Sequence, residues 1–290
     1  MILGVDAGGS TCRLALASGA QRFDVTLGPC NVTSDFDGAI AVLLTGLEQL
    51  AARAGVTLSA LAPCPAWLAL AGVTGPAMAE RVRTALPLTR AIIDEDRRAA
   101  LVGALDARDG CLVGIGTGSY LARQHNGGFA TLGGHGLVLG DEASGAWLGR
   151  ELLVYALRAH DRLEPPTPLA KLILGEMGGP AGVIDFAQNA RPAQFAALAP
   201  RILRSEDPAA MTLMRRGCSW LTTGLNALGW RPGEPICLVG GIAPSYASWL
   251  PRDMADALMN PAGSALDGAL TLARRTGETR PPQSESICGG

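Results

Sequence analysis

The sequence is poor in several residue types that often mark a functional site. Lys171 is its only lysine, it has three histidines, and aromatic residues make up 4% of its 290 positions. Because aromatic residues are scarce, the cores must be built mainly from Ala, Leu, Val and Ile, and 48% of the chain is hydrophobic. The stretch G-x-x-x-x-G-K-[ST], which binds phosphate with the help of a lysine, does not occur. A phosphate-binding loop of that class is therefore excluded.

Long apolar runs and a strong excess of charge are also missing. No stretch of about 20 uncharged apolar residues exists, and no basic segment followed by a cleavable apolar run opens the chain. The net charge of -2 gives no electrostatic reason to expect a nucleic acid. The seven cysteines are scattered without a C-x-x-C pair, which favours buried thiols over a zinc or iron–sulfur site. We therefore expect a cytoplasmic protein with neither a membrane nor a nucleic-acid partner.

Two stretches of the chain repeat one pattern. The first is "ILGVDAGGSTCRLALASGAQRFDVTLG" from Ile2, and the second is "CLVGIGTGSYLARQHNGGFATLGG" from Cys111. Each contains an apolar strand, a turn of glycine with hydroxyl residues, a second strand, a polar turn and a third strand. Helical and strand patterns then alternate after each triplet. This order predicts α/β domains with mixed sheets.

Helical spacing follows the first triplet. Apolar side chains recur about one helical turn apart as far as Leu47 and Leu50, and Gly55 comes shortly after them. Asp35 or Asp37 can cap the start of this segment. The pattern predicts a helix that ends at Gly55.

The repeat divides the chain into two halves. We expect a first domain over residues 1–106, a second over residues 107–276, and a disordered tail over residues 277–290, which are polar and rich in proline. A helical insertion at about 166–227 interrupts the second domain and offers a face that could support a homodimer. Two similar halves leave a cleft between them, which is a usual place for ligands.

The two glycine turns have the composition of anion-binding loops. Residues 8–11 and residues 116–119 can each turn successive backbone N–H groups toward one point, and glycine lets a ligand approach the backbone closely. Either turn alone is more commonly just a turn, but their recurrence in both halves favours a polyphosphate ligand. Since no lysine lies near them, the countercharge would have to come from a metal. Asp6 could hold Mg²⁺ directly or through water.

Six motifs, taken in order, resemble those of the sugar kinase/hsp70/actin superfamily. They are "GVDAGGST", "GPCN", "IIDED", "GIGTGS", "GGHGLVLGDEASGAW" and "CLVGGIA". Within that superfamily the chain, from Met1 to about Ala273, is similar to the N-acetylglucosamine and glucosamine kinases of the benzoyl-CoA reductase ATPase group. The resemblance implies two ribonuclease-H-like (actin-like ATPase) domains, with mixed sheets around an interdomain cleft that holds ATP and Mg²⁺. It also implies an ATP-dependent kinase that phosphorylates a hydroxyl, the 6-OH, of N-acetylglucosamine or glucosamine.

The resemblance further implies roles for individual residues. Asp6 would organise Mg²⁺, and Asp96 would be the general base. The residues that would bind the nucleotide are Gly8, Gly9, Ser10, Thr11, Thr117, Gly118, Gly240 and Gly241. The residues that would bind the amino sugar are Asn31, Gly72 and Asp141.

The base assignment has two alternatives within the sequence. Asp96 falls at a predicted strand-to-helix junction, where these kinases carry their base, whereas Asp94 lies two residues earlier on the same strand face. Asp96 could also simply cap the helix that follows. A carboxylate that accepts the proton of the attacking hydroxyl typically contributes about 10²–10⁴ in rate.

Other functions stay open beside the amino-sugar kinase. Tyr120, His135 and Ala71 stand where the animal N-acetylglucosamine kinases have Asn, Trp and Ser, which leaves the N-acetyl preference undecided. A second function is the ATPase activator of an acyl-CoA reductase or dehydratase system, in which cysteines hold a bridging iron–sulfur cluster. Cys111 precedes the second phosphate loop but has no obvious partner. A third, a sugar-sensing regulator without catalysis, is disfavoured by the presence of Asp96.

Overall fold

The computed structural model describes residues 1–278 and contains ten strands and twelve α-helices within them. The strands are β1 (Ile2–Ala7), β2 (Cys12–Ser18), β3 (Gln21–Leu27), β4 (Ala66–Leu70), β5 (Ala91–Asp94), β6 (Gly110–Ile115), β7 (Ser119–His125), β8 (Gly128–Gly133), β9 (Ile236–Val239) and β10 (Leu258–Met259). The helices are α1 (Phe36–Ala54), α2 (Leu58–Leu61), α3 (Pro76–Ala85), α4 (Asp96–Leu105), α5 (Gly145–His160), α6 (Pro168–Glu176), α7 (Pro180–Asn189), α8 (Pro192–Ala196), α9 (Ala199–Leu203), α10 (Pro208–Ala227), α11 (Arg252–Asp256) and α12 (Ala265–Glu278). A 3₁₀-helix covers Ala243–Trp249.

The chain divides into two compact units. The first unit comprises Met1–Ala107 and the C-terminal segment from Ala262, and the second comprises Arg108–Pro261. Because the first unit contains both ends of the described chain, the second is inserted into it.

The first unit is built on a five-stranded mixed sheet with the order β3-β2-β1-β4-β5. Strands β1, β2 and β3 form an antiparallel meander, while β4 and β5 run parallel to β1. Its largest core combines the apolar side chains of this sheet with those of α1, including Leu3, Leu14 and Leu47. Parallel neighbours bring the carboxyl ends of β1, β4 and β5 to one edge of the sheet.

Helix α1 begins and ends where the sequence predicts. The Asp35 carboxylate accepts a hydrogen bond from the backbone amide of Gly38 at 3.0 Å, which satisfies one of the free amides of the first turn. Gly55 adopts the left-handed conformation that ends many helices. Leu47 and Leu50 are buried beneath the helix, so the predicted apolar stripe is confirmed.

The second unit repeats the sheet of the first. Its strand order is β10-β9-β6-β7-β8, which reproduces the first sheet if β6 stands for β1, β9 for β4 and β10 for β5. Strands β6, β7 and β8 are again an antiparallel meander, and β9 is again parallel to the first strand of that meander. The predicted α/β class with two mixed sheets is therefore confirmed. The segment 166–227 forms helices α6 to α10, and their apolar faces share one core with α5.

The C-terminal helix departs from the predicted domain division. The repeat in the sequence predicts a second domain that extends to residue 276, but α12 packs in the first unit against β1, β4 and α4. The physical reason is apolar burial, since Ala269, Leu272 and Ala273 on α12 contact a small core that includes Trp67 and Ala99.

Helix α12 also changes the boundary of the predicted tail. The helix continues to Glu278, so residues 277 and 278 are helical and do not belong to a disordered segment. The remainder of that tail, residues 279–290, lies outside the described residues. Between residues 1 and 278, no helix is both long and apolar enough to cross a bilayer.

Candidate active site

The edge at the carboxyl ends of β1, β4 and β5 gathers the polar residues of the first unit. Asp6 is the last residue but one of β1, Gly72 follows the end of β4 by two residues, and Asp96 follows the end of β5 by two. The register places Asp6 beside Ala69 on β4. The fold therefore brings together side chains that lie up to 90 positions apart in the sequence.

Asp6 is a largely buried carboxylate whose cationic neighbour is loosely placed. The β1–β2 register sets it opposite Arg13, and the Arg13 Nε atom lies 3.7 Å from Asp6 Oδ2. Burial raises the pKa of Asp6 above its ordinary value, and the Arg13 charge opposes that rise. Arg13 supplies positive charge beside Asp6, so a metal is not the sole possible source of positive charge here, contrary to the prediction from the lack of lysine. The hairpin register was the available signal, since a four-residue turn after Ala7 pairs Asp6 with Arg13.

Asp96 is the first residue of α4, and its carboxyl is also largely buried. Burial raises the pKa of Asp96; the neighbouring Arg97 lowers it, and the charges of Asp6 and Glu95 raise it further. The helix cap is Glu95, whose side chain makes no capping hydrogen bond, so Asp96 is not the capping residue. A partly buried carboxyl with a raised pKa at a sheet edge has the properties of a general base.

Asp94, the competing carboxylate, is engaged locally. Its Oδ1 atom accepts a hydrogen bond from the backbone amide of Glu95 at 2.9 Å. The Glu95 carboxylate is in turn paired with the Arg97 guanidinium. Since both neighbours have partners within the turn, the arrangement favours Asp96 as the carboxylate that meets a substrate.

The first glycine turn, residues 8–11, is a closed loop with an exposed rim. The amide of Gly8 donates to the carbonyl of Thr11 at 2.8 Å, and the Gly8 carbonyl accepts from the amide of Cys30 at 3.0 Å. The amide of Gly8 therefore closes the turn and does not point outward, contrary to the expectation from sequence. Gly9, Ser10 and Thr11 are exposed, and a side chain at Gly9 would meet open space. These three residues form the part of the loop that can contact a ligand.

Asn31 and Gly72 are brought into contact beside this loop. Gly72 has a φ of +92°, and a Cβ atom there would lie 2.5 Å from Asn31 Oδ1. That oxygen accepts hydrogen bonds from the amides of Thr33 and Ser34 at 3.0 and 3.1 Å. The Thr33 hydroxyl donates to the Gly72 carbonyl at 2.6 Å. Position 72 therefore requires glycine, and the amide group of Asn31 is held at the sheet edge.

In the second unit, the turn at residues 116–118 is built in the same way. The amide of Gly116 donates to the carbonyl of Gly118 at 2.9 Å, just as the amide of Gly8 closes the first turn. Helix α5 abuts this turn, because the amides of Gly145 and Ala146 donate to the carbonyls of Gly116 and Thr117 at 2.9 and 3.1 Å. The positive end of the α5 dipole therefore lies at the turn, which favours a bound anion.

The Asp141 side chain lies against this second turn. Its backbone has a φ of +58°, its side chain is buried, and a Cβ atom at Gly118 would lie 2.8 Å from Asp141 Oδ2. Burial raises the pKa of Asp141, and hydrogen bonds from the amides of Gly136 and Ser119 oppose the rise. The predicted sugar-binding residue therefore lies in contact with a predicted nucleotide-binding residue, a relation that the sequence did not reveal.

Gly240 and Gly241 meet the second turn at the carboxyl end of β9. Gly240 has a φ of +95°, and a Cβ atom there would collide with the Ile115 carbonyl, which leaves no room for a side chain. The amide of Ile242 donates to that same carbonyl at 3.1 Å. Gly241 is exposed beside them, with open space at its Cβ position.

The predicted site residues thus form two groups, one in each unit. The first group is Asp6, Gly8, Gly9, Ser10, Thr11, Asn31, Gly72 and Asp96; the second is Thr117, Gly118, Asp141, Gly240 and Gly241. Among residues 1–278, no cluster of three or more His, Cys, Asp or Glu side chains has the arrangement of a metal site. Buried carboxylates such as Asp6 nevertheless suit Mg²⁺, which takes few protein ligands and keeps several waters.

Comparison with known proteins adds a family and several relatives. A sequence model of the family described as BadF/BadG/BcrA/BcrD ATPase matches residues 3–261. The glucosamine kinase GspK of Vibrio cholerae serotype O1 is 26% identical over 278 residues, which cover 93% of this chain and 95% of that protein. The N-acetylmuramic acid/N-acetylglucosamine kinase of Clostridium acetobutylicum is 28% identical over 183 residues, 60% of this chain and 58% of that protein.

Solved structures give a consistent result. A Chromobacterium violaceum protein described as a candidate N-acetylglucosamine kinase superposes with a TM-score of 0.83 at 29% identity, covering 94% of this chain and 98% of its own. The hexokinase of the ROK family from Thermus thermophilus has a TM-score of 0.55 at 15% identity, covering 94% of this chain and 98% of its own. The second likeness is one of fold alone.

Proposed function

Since the chain belongs to the BadF/BadG/BcrA/BcrD ATPase family, we propose that it is an ATP-dependent kinase that phosphorylates an amino sugar, glucosamine or N-acetylglucosamine. The similarity to a glucosamine kinase along nearly the whole chain supports the substrate class. The observation that carries the proposal is the partly buried carboxylate Asp96, which shares a sheet edge with the loop at residues 8–11 and with the Asn31–Gly72 contact.

In this proposal the phosphate groups of ATP are bound mainly by backbone. The loops at residues 8–11 and at residues 116–118 are both proposed to contact phosphate, and the start of α5 adds a favourable dipole at the second. Phosphoryl transfer depends on positioning and on charge neutralisation more than on covalent chemistry by the protein. Preorganised loops with few side chains suit that requirement. Gly240 and Gly241 are proposed to contact the adenosine end of the nucleotide.

Mg²⁺ would be held by Asp6, directly or through water, together with the phosphate groups. When bound, it would neutralise charge on the transferring phosphoryl group. The loosely placed Arg13 supports this assignment, because at 3.7 Å it leaves the Asp6 carboxylate without a close ion pair. Arg13 is proposed to stay at the rim of the loop, where about half of its side chain is exposed.

Asp96 is proposed to accept the proton of the sugar hydroxyl as that oxygen attacks the terminal phosphorus. Its raised pKa makes it a better proton acceptor than an ordinary aspartate, as long as it is ionised before the reaction. Asn31, Gly72 and Asp141 would hold the other hydroxyl groups of the sugar, since carboxylate and amide groups supply both acceptors and donors. We place the transfer on the 6-hydroxyl.

The cysteines in the described part of the chain do not support the alternative role as an activator ATPase. A bridging iron–sulfur cluster needs accessible thiolates, but each cysteine in the described part of the chain is buried. Cys111 is fully buried in β6, where burial raises the pKa of its thiol to about 12. A thiol in that environment stays protonated at neutral pH.

A coupled assay of ADP release tests the proposed function. We expect Mg²⁺-dependent turnover with glucosamine or N-acetylglucosamine, and phosphorus NMR of the product should place the phosphate on the 6-hydroxyl. Absence of turnover across glucose, glucosamine, mannosamine and their N-acetyl forms would reject the proposal.

Replacement of two neighbouring aspartates tests the base. Asp96→Asn should lower kcat by at least about a hundredfold and leave ATP binding intact, because it removes only the proton acceptor. Asp94→Asn is the matched control, since an asparagine oxygen can still accept the hydrogen bond from the Glu95 amide. If Asp94→Asn loses turnover while Asp96→Asn keeps it, the base assignment belongs to Asp94.

A further inference from the structure

The segment between β8 and Asp141, residues 134–140, is a glycine-rich loop with an apolar tip. We call it the 134–140 loop. Val138 and Leu139 at its tip are 89% and 80% exposed, the two highest values among the large apolar side chains of the described chain. Leu137 beside them is buried in the core of the second unit. One apolar side chain therefore anchors the loop, and two are presented to solvent.

Backbone hydrogen bonds connect this loop to Asp141. The amides of Leu139 and Gly140 both donate to the Gly136 carbonyl, at 3.2 and 2.8 Å. The amide of Gly136 donates to Asp141 Oδ1 at 3.2 Å. A displacement of the loop therefore changes the surroundings of the Asp141 carboxylate, which also contacts Gly118.

One side chain of α5 forms a hydrogen bond with the backbone of the 134–140 loop. Arg150 on α5 donates from Nη1 to the Leu137 carbonyl at 2.7 Å and from Nη2 to Glu151 Oε1 at 3.1 Å. Glu151 is nearly buried, and its other oxygen is paired with Arg216 on α10 at 2.8 Å. The Arg216 guanidinium lies over the Trp147 ring, 5.3 Å from its centroid. Two helices thus fix the guanidinium that holds the loop.

We propose that Arg150 is a positioning residue for sugar binding, which fixes the 134–140 loop through the Leu137 carbonyl and thereby sets the sugar-facing position of Asp141. The part that concerns the sugar rests on the proposed function. A charged guanidinium on a carbonyl is a strong donor, and it is itself oriented by a carboxylate, so its loss releases the loop without removing any group that touches the substrate. The Val138–Leu139 tip moves with the loop.

Limited proteolysis tests the positioning of the loop without reference to activity. Chymotrypsin is expected to cleave after Leu139 faster in Arg150→Met than in the native chain, with cleavage after the exposed Leu163 as the internal reference. Arg252→Met is the control, because Arg252 on α11 is also in the second unit and pairs with Asp256 in an exposed, 3.8 Å contact that involves neither cleavage site. Equal cleavage ratios in all three proteins, or the same increase in Arg252→Met, would overturn the proposal.

Steady-state kinetics test the consequence for the sugar. In Arg150→Met the KM for the amino sugar should rise about tenfold, equivalent to about 1.4 kcal/mol, with kcat nearly unchanged. Arg150→Lys, which keeps a cationic donor, should recover part of the affinity. A fall in kcat at constant KM, or an unchanged KM in an active enzyme whose loop is released, would contradict the positioning role.

The two tests separate this proposal from the proposed function. If the native chain phosphorylates none of the sugars, the proposed function fails and the role of Arg150 in sugar binding fails with it. The proteolysis ratio then still decides whether Arg150 fixes the 134–140 loop. If the native chain is active and the loop is not released in Arg150→Met, only the inference about Arg150 fails.

Discussion

At the scale of single residues, the candidate site places carboxylates where the fold does not favour their charge. Burial raises the pKa values of Asp6, Asp96 and Asp141. A group whose pKa is higher in the folded state than in the unfolded state holds its proton more tightly when folded. Each such carboxylate therefore lowers the free energy of unfolding at pH values where it is ionised. The site carries this cost because a raised pKa suits a proton acceptor.

Asp96→Asn should therefore raise the melting temperature at pH 7 while it lowers kcat by at least about a hundredfold. The neutral amide removes a buried charge, and although the start of α4 favours a negative group, burial is the larger effect on Asp96. The gain should shrink as the pH falls from the raised pKa toward the ordinary aspartate value of 3.8, because the native carboxyl becomes neutral too. Thermal unfolding of both proteins between pH 4 and 8 measures this difference. An equal or lower melting temperature for Asp96→Asn at pH 7 would show that its charge is not unfavourable.

At the scale of elements, the position of Asp96 depends on how α4 packs against α12. A Cβ atom at Gly268 on α12 would collide with the Ala99 carbonyl and the Gly103 amide of α4, and a Cβ at Gly103 would collide with the Ser264 carbonyl. The two helices therefore approach each other at glycines, with backbone against backbone. Since α4 begins with Asp96, α12 supports the helix that carries the proposed base.

Gly268→Ala should destabilise the protein by about 1–3 kcal/mol, because the added methyl group has only rigid backbone around it. We also expect kcat to fall, since α4 must shift to relieve the contact. Chemical denaturation and the ADP-release assay measure the two effects.

Gly175→Ala on α6 is the control for the same substitution in a helix with open space. Nothing lies within 4 Å of a Cβ at that position. It should leave activity unchanged and stabilise the protein by up to about 1 kcal/mol, because alanine favours the helix. If Gly268→Ala and Gly175→Ala have the same effects on stability and on kcat, the α4–α12 contact is not closely packed at Gly268.

At the scale of the whole molecule, the first unit is discontinuous in sequence. Residues 1–107 lack α12, whose Leu272 and Ala273 complete the core around Trp67. The chain leaves the first unit after residue 107 and returns to it at residue 262. These two points are close together, because the amide of Ala262 donates to the Ala104 carbonyl at 2.9 Å. A short linker can therefore replace the second unit without stretching the first.

Three fragments test this organisation. Residues 108–261 should unfold cooperatively on heating, because they contain a complete sheet and its core. Residues 1–107 alone should not, whereas residues 1–107 joined by a Gly-Ser linker to residues 262–278 should. Circular dichroism on heating distinguishes these cases. Cooperative unfolding of residues 1–107 alone would mean that α12 is dispensable for that core.

Features carried by local pattern were predictable from the sequence. The repeated strand triplets predicted two sheets, which have the same strand order. Asp35 and Gly55 lie at the start and the end of α1, as predicted. Features that depend on long-range packing were not predictable from the sequence. The main example is the packing of α12 in the first unit. The pairing of Arg13 with Asp6 was predictable in part, since it follows from the hairpin register, although the scarcity of lysine alone does not indicate it.

The discontinuity of the first unit has a consequence for how the protein is made. On the ribosome, residues 1–107 emerge first, yet their partner helix α12 follows only after all of residues 108–261. The entire sequence of the inserted unit is available earlier, so this unit can finish folding before α12 is made. Until then, the apolar face of the N-terminal sheet that α12 covers stays exposed. The order of completion is therefore the reverse of the order of translation, and a pause before α12 prolongs the exposure of that face to chaperones.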